Sequence, residues 1–255
     1  MFVRIIRGAH EIGGNLIEVK ARNGEAIILD FGLPLEKKGE EVLPDIPMLY
    51  NGKEGHIKGV LISHPHQDHY GLTNALHERV PVYLGEGTYR LIEVTRRFSG
   101  PKLKVKNPVF FKDRVSFVVG PFKVPPFLMD HSAFDSYAFL IEADGKSRLY
   151  TGDFRSHGRK GWCMDNLLKG VPKGIDGLIF ETTMLGRMEE KEVTEKDLEE
   201  ILLGEIEKTK GIVLFSCSSQ NIDRIVTLYR ATVRSGRTLV MDAYTAYVLK
   251  NQGLS

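Results

Sequence analysis

The first thirty residues alternate between apolar runs and glycine-containing breaks. Three runs, Phe2–Ile6, Asn15–Val19 and Ala26–Leu29, are rich in β-branched and aliphatic residues, and Gly13-Gly14 and Asn23-Gly24 separate them. Short runs of this composition predict strands, and breaks of this kind predict tight turns between antiparallel neighbours. The chain is therefore expected to open as an antiparallel β-meander.

Strand and helix patterns alternate between residues 58 and 187. The predicted strands are Val60–Ile62, Val82–Leu84, Val115–Val119, Tyr137–Glu142, Ser147–Tyr150 and Gly177–Phe180, and the predicted helices are Leu72–Glu78 and Thr88–Phe98. The strands on either side of the turn at residues 143–146 are expected to form a hairpin. This alternation predicts a mixed α/β fold.

The last quarter of the chain has a regular α/β pattern of its own. The predicted elements are a helix from Thr194 to before Gly211, a strand Ile212–Phe215, a helix Asn221–Ser235 and a strand Thr238–Met241. A strand, a helix and a second strand in this order predict a βαβ unit with parallel strands. The charged stretch Met188–Val193 precedes these elements. We therefore divide the chain into a first domain, residues 1–187, and a partial second domain, residues 188–255.

Composition narrows the class of protein but not the substrate. The 255 residues are 42% hydrophobic and 27% charged, which is typical of a folded globular protein and excludes general disorder. The formal net charge of +2 is too small to indicate a nucleic-acid partner, so any such argument depends on local patches. Cys163 and Cys217 are far apart and form no CxxC pair, which favours a reducing compartment. We expect a cytoplasmic protein without a membrane span.

Candidate chemistry is concentrated in one stretch, His64-Pro65-His66-Gln67-Asp68-His69, directly after the strand Val60–Ile62. Pro65 disfavours helix for His64 and keeps it extended. His64 and His66 therefore project to the same side and can converge on one ion. Asp68 and His69 follow where the chain begins to curl, so the same loop can serve a second, neighbouring ion. Imidazole and carboxylate donors suit zinc or manganese.

This stretch resembles the HxHxDH signature of the metallo-β-lactamase superfamily, and the downstream segments resemble its β-CASP nucleic-acid-processing branch, which includes ribonuclease J. The resemblance spans nearly the whole chain. It implies an α/β fold: an αββα metallo-β-lactamase sandwich, incomplete in its C-terminal half, followed by the opening of a β-CASP α/β domain. It also implies hydrolysis of RNA phosphodiester bonds by a metal-bound hydroxide.

The same resemblance implies a ligand set for two divalent ions, with zinc expected and manganese as the alternative. His131 stands in Asp130-His131-Ser132, and Asp153 ends Thr151-Gly152-Asp153, both settings in which superfamily members place metal ligands. The implied first ion is held by His64, His66 and His131, the second by Asp68 and His69, and Asp153 bridges the two. Asp68 is also the candidate acceptor of the proton from the attacking water.

Asp30 closes the third predicted strand. A carboxylate at such a strand end commonly orients metal-ligating histidines without touching the ion itself. We expect that role for Asp30.

Several downstream residues are candidates for contact with substrate or for support of catalysis. Arg155, Arg159 and Lys160 directly follow Asp153, and guanidinium groups bind phosphate oxygens in a bidentate way. The alternative is that they are merely exposed surface residues. Glu181, in Glu181-Thr182-Thr183, resembles the first β-CASP motif, whose carboxylate orients a catalytic histidine. Ser218 and Ser219, between a strand and a helix, either cradle a phosphate or belong to a helix cap.

None of the eight histidines lies in the last third of the chain, whereas β-CASP proteins supply one or more late histidines. We expect a C-terminally truncated relative whose second ion is weakly held or absent and whose activity is impaired. Single-stranded RNA is the expected partner and DNA the alternative, and an uncovered sheet edge favours self-association. Two other functions stay open: a small ester or thioester hydrolase, and a catalytically weak nucleic-acid-binding remnant.

Overall fold

The computed structural model describes residues 1–35, 43–99, 103–186 and 192–253. Its strands are β1 (Phe2–Arg7), β2 (Leu16–Lys20), β3 (Ala26–Leu29), β4 (Ile57–Leu61), β5 (Val82–Gly85), β6 (Pro108–Phe111), β7 (Phe117–Val119), β8 (Phe122–Val124), β9 (Pro126–Met129), β10 (Ser136–Ala143), β11 (Lys146–Tyr150) and β12 (Gly177–Ile179). Its helices are α1 (Met48–Asn51), α2 (Gln67–Tyr70), α3 (Glu86–Ser99), α4 (Trp162–Gly170), α5 (Glu195–Lys208), α6 (Ile222–Arg234) and α7 (Ala243–Asn251). The domain boundary that we predict between residues 187 and 188 lies outside the described residues.

The strands form two sheets. The first has the order β1-β2-β3-β4-β5-β6; its first three strands are antiparallel and β3 to β6 are parallel. The predicted N-terminal meander is therefore confirmed. The second sheet has the order β12-β11-β10-β8-β7, with β9 also paired to β10. The predicted hairpin is confirmed as β10 and β11, in which Ala143 pairs with Lys146.

The alternation of side chains along β3 shows how the sheets are buried. Ile27 and Leu29 lie between the two sheets in a core that includes Phe139 of β10. Ile28 points to the opposite face, where Ile92 of α3 helps to cover it. All five side chains are completely buried. Successive residues of a strand face opposite sides, so an uninterrupted apolar run is what a sheet covered on both faces requires.

Helices cover the outer face of each sheet. On the outside of the second sheet, Leu167 of α4 packs in a cluster with Met129 of β9 and Leu140 of β10. The layers are therefore helix, sheet, sheet and helix, and the predicted α/β four-layer sandwich is confirmed. Cys163, on the buried side of α4, and Cys217 are both free.

Two predicted features of the fold are wrong. The segment predicted as a helix at Leu72–Glu78 contains only a 3₁₀ turn at Thr73–Ala75, because the chain becomes extended at Leu76. The segments 212–215 and 238–241 form no β-ladder in the described part of the chain. A strand needs a hydrogen-bonded neighbour, and here Ile212, Leu214 and Val240 are each almost 90% exposed.

The C-terminal helices dock onto the sandwich through α3. Leu91 and Val94 of α3 form a buried cluster with Ile222 of α6 and Val248 of α7. The amide of Gln220 donates to Thr95 Oγ1 at 2.8 Å beside this cluster. The contact combines apolar burial with a hydrogen bond, so α6 and α7 are attached directly to α3.

The helices are short. Both α3 and α5 have 14 residues, whereas a bilayer-spanning helix needs about 20 apolar residues. Across the described ranges, no helix has the length and apolar character needed to cross a membrane.

A buried carboxylate joins α5 to α6. Glu195 is 2% exposed and accepts hydrogen bonds from Arg224 Nε at 3.0 and 3.2 Å and from Thr227 Oγ1 at 2.7 Å. Burial alone raises the pKa of Glu195, but the hydrogen bonds from Arg224 and Thr227 outweigh burial and lower it. A carboxylate with a lowered pKa stabilises the fold above its unfolded-state pKa and loses that contribution as the pH falls through the folded-state value.

We predict that Glu195→Gln lowers the free energy of unfolding by about 1–3 kcal/mol at pH 7, because the charged hydrogen bonds to Arg224 are lost. Below about pH 5 the stability of the wild type should fall more steeply than that of the variant. Urea titrations of metal-free protein from pH 7 to pH 3 measure both effects. Glu207→Gln, an exposed acid of the same helix, is the control and should keep the wild-type slope. Parallel pH profiles for wild type and Glu195→Gln would contradict the assignment.

Candidate metal centre

The histidine motif lies at the carboxyl end of β4, where loops from both sheets meet. His64 and His66 follow β4, with His66 in extended conformation, and His69 lies in α2. His131 follows β9, and Asp153 follows β11. His64 and His69 are buried, whereas the other three side chains are partly exposed. Both sheets therefore contribute side chains to one site at an edge of the sandwich.

Three imidazoles converge on one point. His64 Nε2 lies 3.1 Å from His66 Nδ1, and His131 Nε2 lies 3.2 Å from the same His66 atom. Zinc–nitrogen bonds of 2.0–2.1 Å in a tetrahedral site place neighbouring donors about 3.3–3.4 Å apart. The spacing of the three nitrogens therefore fits a tetrahedrally coordinated divalent ion.

Asp153 faces this cluster and a second one. Its Oδ2 lies 4.0 Å from His64 Nε2 and 3.9 Å from His131 Nε2. Its Oδ1 lies 3.4 Å from His69 Nε2. One oxygen of Asp153 thus faces the three-histidine cluster and the other faces His69. A carboxylate shared by two ions needs this arrangement.

The second cluster is sparser. The donor atoms that lie close together here belong to His64, His69 and Asp153, and Asp68 Oδ2 lies 3.7 Å from His69 Nε2. The amide nitrogen of Asn15 lies 2.9 Å from the same His69 Nε2. Asn15 is a neighbour of the site that we did not predict, although it directly follows Gly13-Gly14 in the N-terminal loop.

Asp30 lies directly behind the histidines. It is fully buried, and its Oδ2 accepts hydrogen bonds from His69 Nδ1 at 2.7 Å, Ser63 Oγ at 2.8 Å and Tyr150 hydroxyl at 2.5 Å. Its Oδ1 accepts from the backbone N–H of Ser63 at 2.7 Å. The residue has a left-handed φ of 55°, a conformation that costs free energy for a side chain other than glycine. These hydrogen bonds compensate both the strain and the buried charge.

The hydrogen bonds to Asp30 fix how two histidines face the site. His69 donates its Nδ1 proton to Asp30, which leaves Nε2 directed at Asp153. Ser63 uses its hydroxyl proton for Asp30, so it accepts from His64 Nδ1 at 3.0 Å. His64 therefore presents a lone pair on Nε2 to the cluster, as a metal ligand must. We did not predict roles for Ser63 and Tyr150. Their positions next to His64 and to Thr151-Gly152-Asp153 are the feature of the sequence that could have indicated such roles.

The environment keeps the three clustered histidines neutral. Burial is the main cause for each of them: it lowers the pKa of His64 well below its usual value, lowers that of His66, and lowers that of His131 to about 3. The neighbouring imidazoles add to this effect. Neutral imidazole is the metal-binding form, so the donor set is prepared for a cation.

The pKa shifts of His69 and Asp153, in contrast, favour the charged forms of both side chains. Burial lowers the pKa of His69, but the charges of Asp30 and Asp153 outweigh burial and raise it well above the usual value. Burial raises the pKa of Asp153, but the hydrogen bond from His69 and the charges of the neighbouring histidines together outweigh burial and lower that pKa. The carboxylates of Asp30 and Asp153 thus favour positive charge at this position.

The backbone of the motif packs against the N-terminal loops. Phe31 N donates to His69 O at 2.7 Å, and Asn15 N donates to Asp68 O at 3.0 Å. A Cβ at Gly32 would lie 1.7 Å from Asp68 O, so only glycine allows this approach. The loop after β3 therefore sets the position of the helical turn that carries Asp68 and His69.

The two arginines after Asp153 have acidic partners, whereas Lys160 lies over an aromatic ring. Arg155 pairs with Asp130 and Asp223, and Arg159 pairs with Glu199. Lys160 Nζ lies over the ring of Phe134, 5.3 Å from its centre. Contact of Arg155, Arg159 and Lys160 with substrate phosphates stays a prediction. To bind phosphate, Arg155 and Arg159 would have to release their carboxylate partners.

The hydrogen-bond partners of Glu181, Ser218 and Ser219 are residues outside the histidine clusters. Glu181 accepts from the N–H of Thr183 at 3.0 Å, just beyond β12. Ser219 Oγ lies 2.7 Å from Thr245 Oγ1, and Ser218 Oγ accepts from Gln220 N at 3.4 Å. Within the described part of the chain, no hydrogen bond or ion pair joins these three residues to the cluster. The N-cap of α6 is Asn221, which accepts from Arg224 N at 3.3 Å.

The sandwich and its histidine–aspartate site define a class of protein with a two-sheet α/β fold and a metal centre at one edge. A family model described as the metallo-beta-lactamase superfamily matches residues 13–193, and the chain belongs to that superfamily. The match covers 181 of the 255 residues and includes every residue of the two clusters.

Curated relatives of this chain are named ribonuclease J. The protein of that name from Sinorhizobium meliloti is 29% identical over 248 residues, which cover 92% of this chain and 43% of the relative. The one from Helicobacter pylori is 31% identical over 155 residues, 58% of this chain and 22% of the relative. The Methanocaldococcus jannaschii ribonuclease J is 28% identical and covers 92% of this chain and 58% of its own length. Two of these relatives match 92% of this chain, and both are longer than it is. The chain thus spans about half of their length.

A solved structure extends the likeness to the whole chain. A protein of unknown function from Enterococcus faecalis V583 superposes with a TM-score of 0.84 at 25% sequence identity, covering 98% of this chain and 67% of that protein. The resemblance to the metallo-β-lactamase superfamily and to ribonuclease J-like proteins, stated above from motifs, is confirmed.

We predict that the wild type retains tightly bound zinc after gel filtration and that a His64→Ala/His66→Ala double variant does not, because both nitrogens belong to the three-histidine cluster. Elemental analysis of the purified proteins measures this. His10→Ala removes an exposed histidine and serves as the matched control. Equal tight metal in the wild type and the double variant would show that the cluster is assigned wrongly.

We further predict that Asp30→Asn lowers zinc affinity by about 10–100-fold, the usual effect of removing a carboxylate that orients a ligating histidine. Tyr150→Phe removes a hydrogen bond to the same carboxylate but leaves its charge beside His69, so its effect should be smaller. Competition with a fluorescent chelator measures both affinities. A folded Asp30→Asn protein with wild-type affinity would contradict the role of Asp30.

Proposed function

We propose that this chain is a metal-dependent hydrolase of the ribonuclease J type that cleaves phosphodiester bonds of single-stranded RNA. The observation that carries the proposal is the paired donor set: three neutral imidazoles and a second histidine–aspartate group, joined by Asp153. The relatives named ribonuclease J support RNA as the substrate. DNA is the alternative polymer, and the cytoplasm is the proposed location.

We propose zinc as the resident ion, with manganese as the alternative, because imidazole-rich tetrahedral sets favour zinc. Bound divalent ions of this kind lower the pKa of water and stabilise negative charge on phosphoryl oxygens. The first cluster offers His64, His66, His131 and Asp153 as donors. In the described residues, the second offers Asp68, His69 and the shared Asp153. We therefore propose that a second ion is held more weakly than the first.

The residues around the ions have distinct proposed tasks. Asp68, which is partly exposed beside His69, is proposed to accept the proton of the attacking water, as a general base must lie within reach of that proton. Glu181 is proposed to orient a catalytic histidine. Unlike Arg155 and Arg159, Lys160 forms no ion pair with a carboxylate in the described part of the chain. Lys160 is therefore the proposed phosphate contact.

Ser218 and Ser219 are proposed to contact substrate through their hydroxyls. The argument is their place just before the start of α6, where backbone N–H groups favour anions. Self-association is proposed as well, because the apolar segments 212–215 and 238–241 are exposed.

We predict slow, metal-dependent cleavage of a labelled single-stranded RNA by the 255-residue chain. His66→Ala should abolish it together with zinc binding, because it removes a cluster nitrogen. Asp68→Asn should lower kcat by about 10²–10⁴-fold while the first ion is retained, as expected for loss of a general base. The measurement is single-turnover cleavage with added zinc or manganese, with zinc content determined in parallel.

His10→Ala, outside both clusters, is the control and should cleave like the wild type. A zinc-loaded, folded protein that hydrolyses a small ester or thioester and neither binds nor cleaves RNA would contradict the proposal. RNA binding without any metal-dependent turnover would instead identify a binding remnant.

A further inference from the structure

The loops that carry His131 and Asp153 are tied together by one buried carboxylate. Asp130, directly before His131, is 1% exposed and accepts from Arg155 Nε at 3.2 Å and from the backbone N–H of Gly158 at 2.7 Å. The carbonyl of Asp130 also accepts from the backbone N–H of Arg155 at 2.8 Å. The residue beside one metal ligand is therefore bonded to the loop that follows another.

Gly158 shows how close this contact is. A Cβ at that position would lie 2.2 Å from Asp130 Oδ1. Only a glycine there allows the backbone N–H to reach the carboxylate. The loop after Asp153 is thus shaped around Asp130.

The far end of Arg155 reaches the C-terminal helices. Its Nη2 donates to Asp223 Oδ2 at 2.6 Å, and Asp223 lies in the first turn of α6. The same Asp223 oxygen accepts from the backbone N–H of Arg159 at 3.1 Å. Arg155 and Asp223 side chains are each only 11% exposed. A single guanidinium therefore spans two carboxylates, one from each part of the chain.

Arg155 fixes the positions of Asp130 and Asp223 relative to each other. A planar guanidinium with several donors can hold two carboxylates at a set distance and angle, which a lysine ammonium cannot do. A buried charge that loses its partner is strongly destabilised. The position of α6 therefore affects Arg155, and through Arg155 it affects the loops of His131 and Asp153.

We propose that Arg155 is a positioning residue for the metal centre: Asp223 of α6 holds Arg155, and Arg155 holds Asp130 beside His131, so that docking of the C-terminal helices and metal affinity are coupled. Coupling of this kind is reciprocal. The docked helices increase the affinity for the ion, and the bound ion stabilises the docked helices. The inference rests on the metal site of the proposed function and not on the identity of the substrate.

The test measures zinc affinity by chelator competition in the wild type, Asp223→Asn, Arg155→Gln and the double variant. Asp223→Asn lies outside the ligand set and should weaken zinc binding by about 10-fold, the low end for residues that act through a ligand's neighbour. Because Asp223 acts mainly through Arg155, the loss of affinity in the double variant should be clearly smaller than the sum of the two single losses.

The matched control is Glu200→Gln, another acid-to-amide change at the α5–α6 contact. Glu200 pairs with Arg234 at 2.7 Å and makes no contact with Arg155. It should leave zinc affinity unchanged. Arg155→Lys keeps the positive charge but cannot span both carboxylates, so it should also bind zinc more weakly, and it provides a second test should Asp223→Asn fold poorly.

A metal-free measurement completes the test. In Asp223→Asn, amide hydrogen exchange should become faster in peptides that contain Arg155 and Gly158, whose N–H groups donate to Asp130. Zinc affinities within twofold of the wild type in both Asp223→Asn and Arg155→Lys would overturn the proposal, as would additive losses in the double variant. A wild type without histidine-dependent zinc binding would overturn the metal centre itself, and the coupling with it.

Discussion

The carboxylate of Asp30 is the contact on which the rest of the site depends. It is buried without access to water, and it is compensated by hydrogen bonds from Ser63, His69 and Tyr150. Asp30 and Ser63 stand at the ends of strands in the first sheet, whereas Tyr150 ends β11 in the second. One charge therefore joins the two sheets and orients the histidines at the same time. The energetic reason is that a buried carboxylate is tolerated only when its oxygens are fully hydrogen-bonded.

The sequence predicted those parts of the molecule that are decided locally. The apolar run of β4 and the spacing of His64, His66 and His69 lie within a dozen residues, so their arrangement follows from strand geometry and the effect of Pro65. The sandwich itself followed from the resemblance. The meander and the β10–β11 hairpin were predictable for the same local reason, since turn residues mark them.

What the sequence did not reveal depends on distant partners. Arg155 was predicted to face phosphate because it follows Asp153, but its carboxylate partner Asp223 lies 68 residues further along the chain. The hydrogen bond from Tyr150 to Asp30 spans 120 residues. The segments 212–215 and 238–241 have the composition of strands, yet they form no ladder with each other in the described structure, because composition alone does not supply a hydrogen-bonded neighbour.

We conclude that Asp30 orients the histidines before any ion arrives. The direct measurement is ¹⁵N NMR of the histidine ring nitrogens in metal-free protein at neutral pH, which shows which nitrogen carries a proton. We expect a proton on Nδ1 of both His64 and His69, in hydrogen bonds to Ser63 and Asp30. In Asp30→Asn, the ¹⁵N chemical shifts of the His69 ring should change. An unprotonated Nδ1 on His69 in the wild type would contradict this orienting role of Asp30.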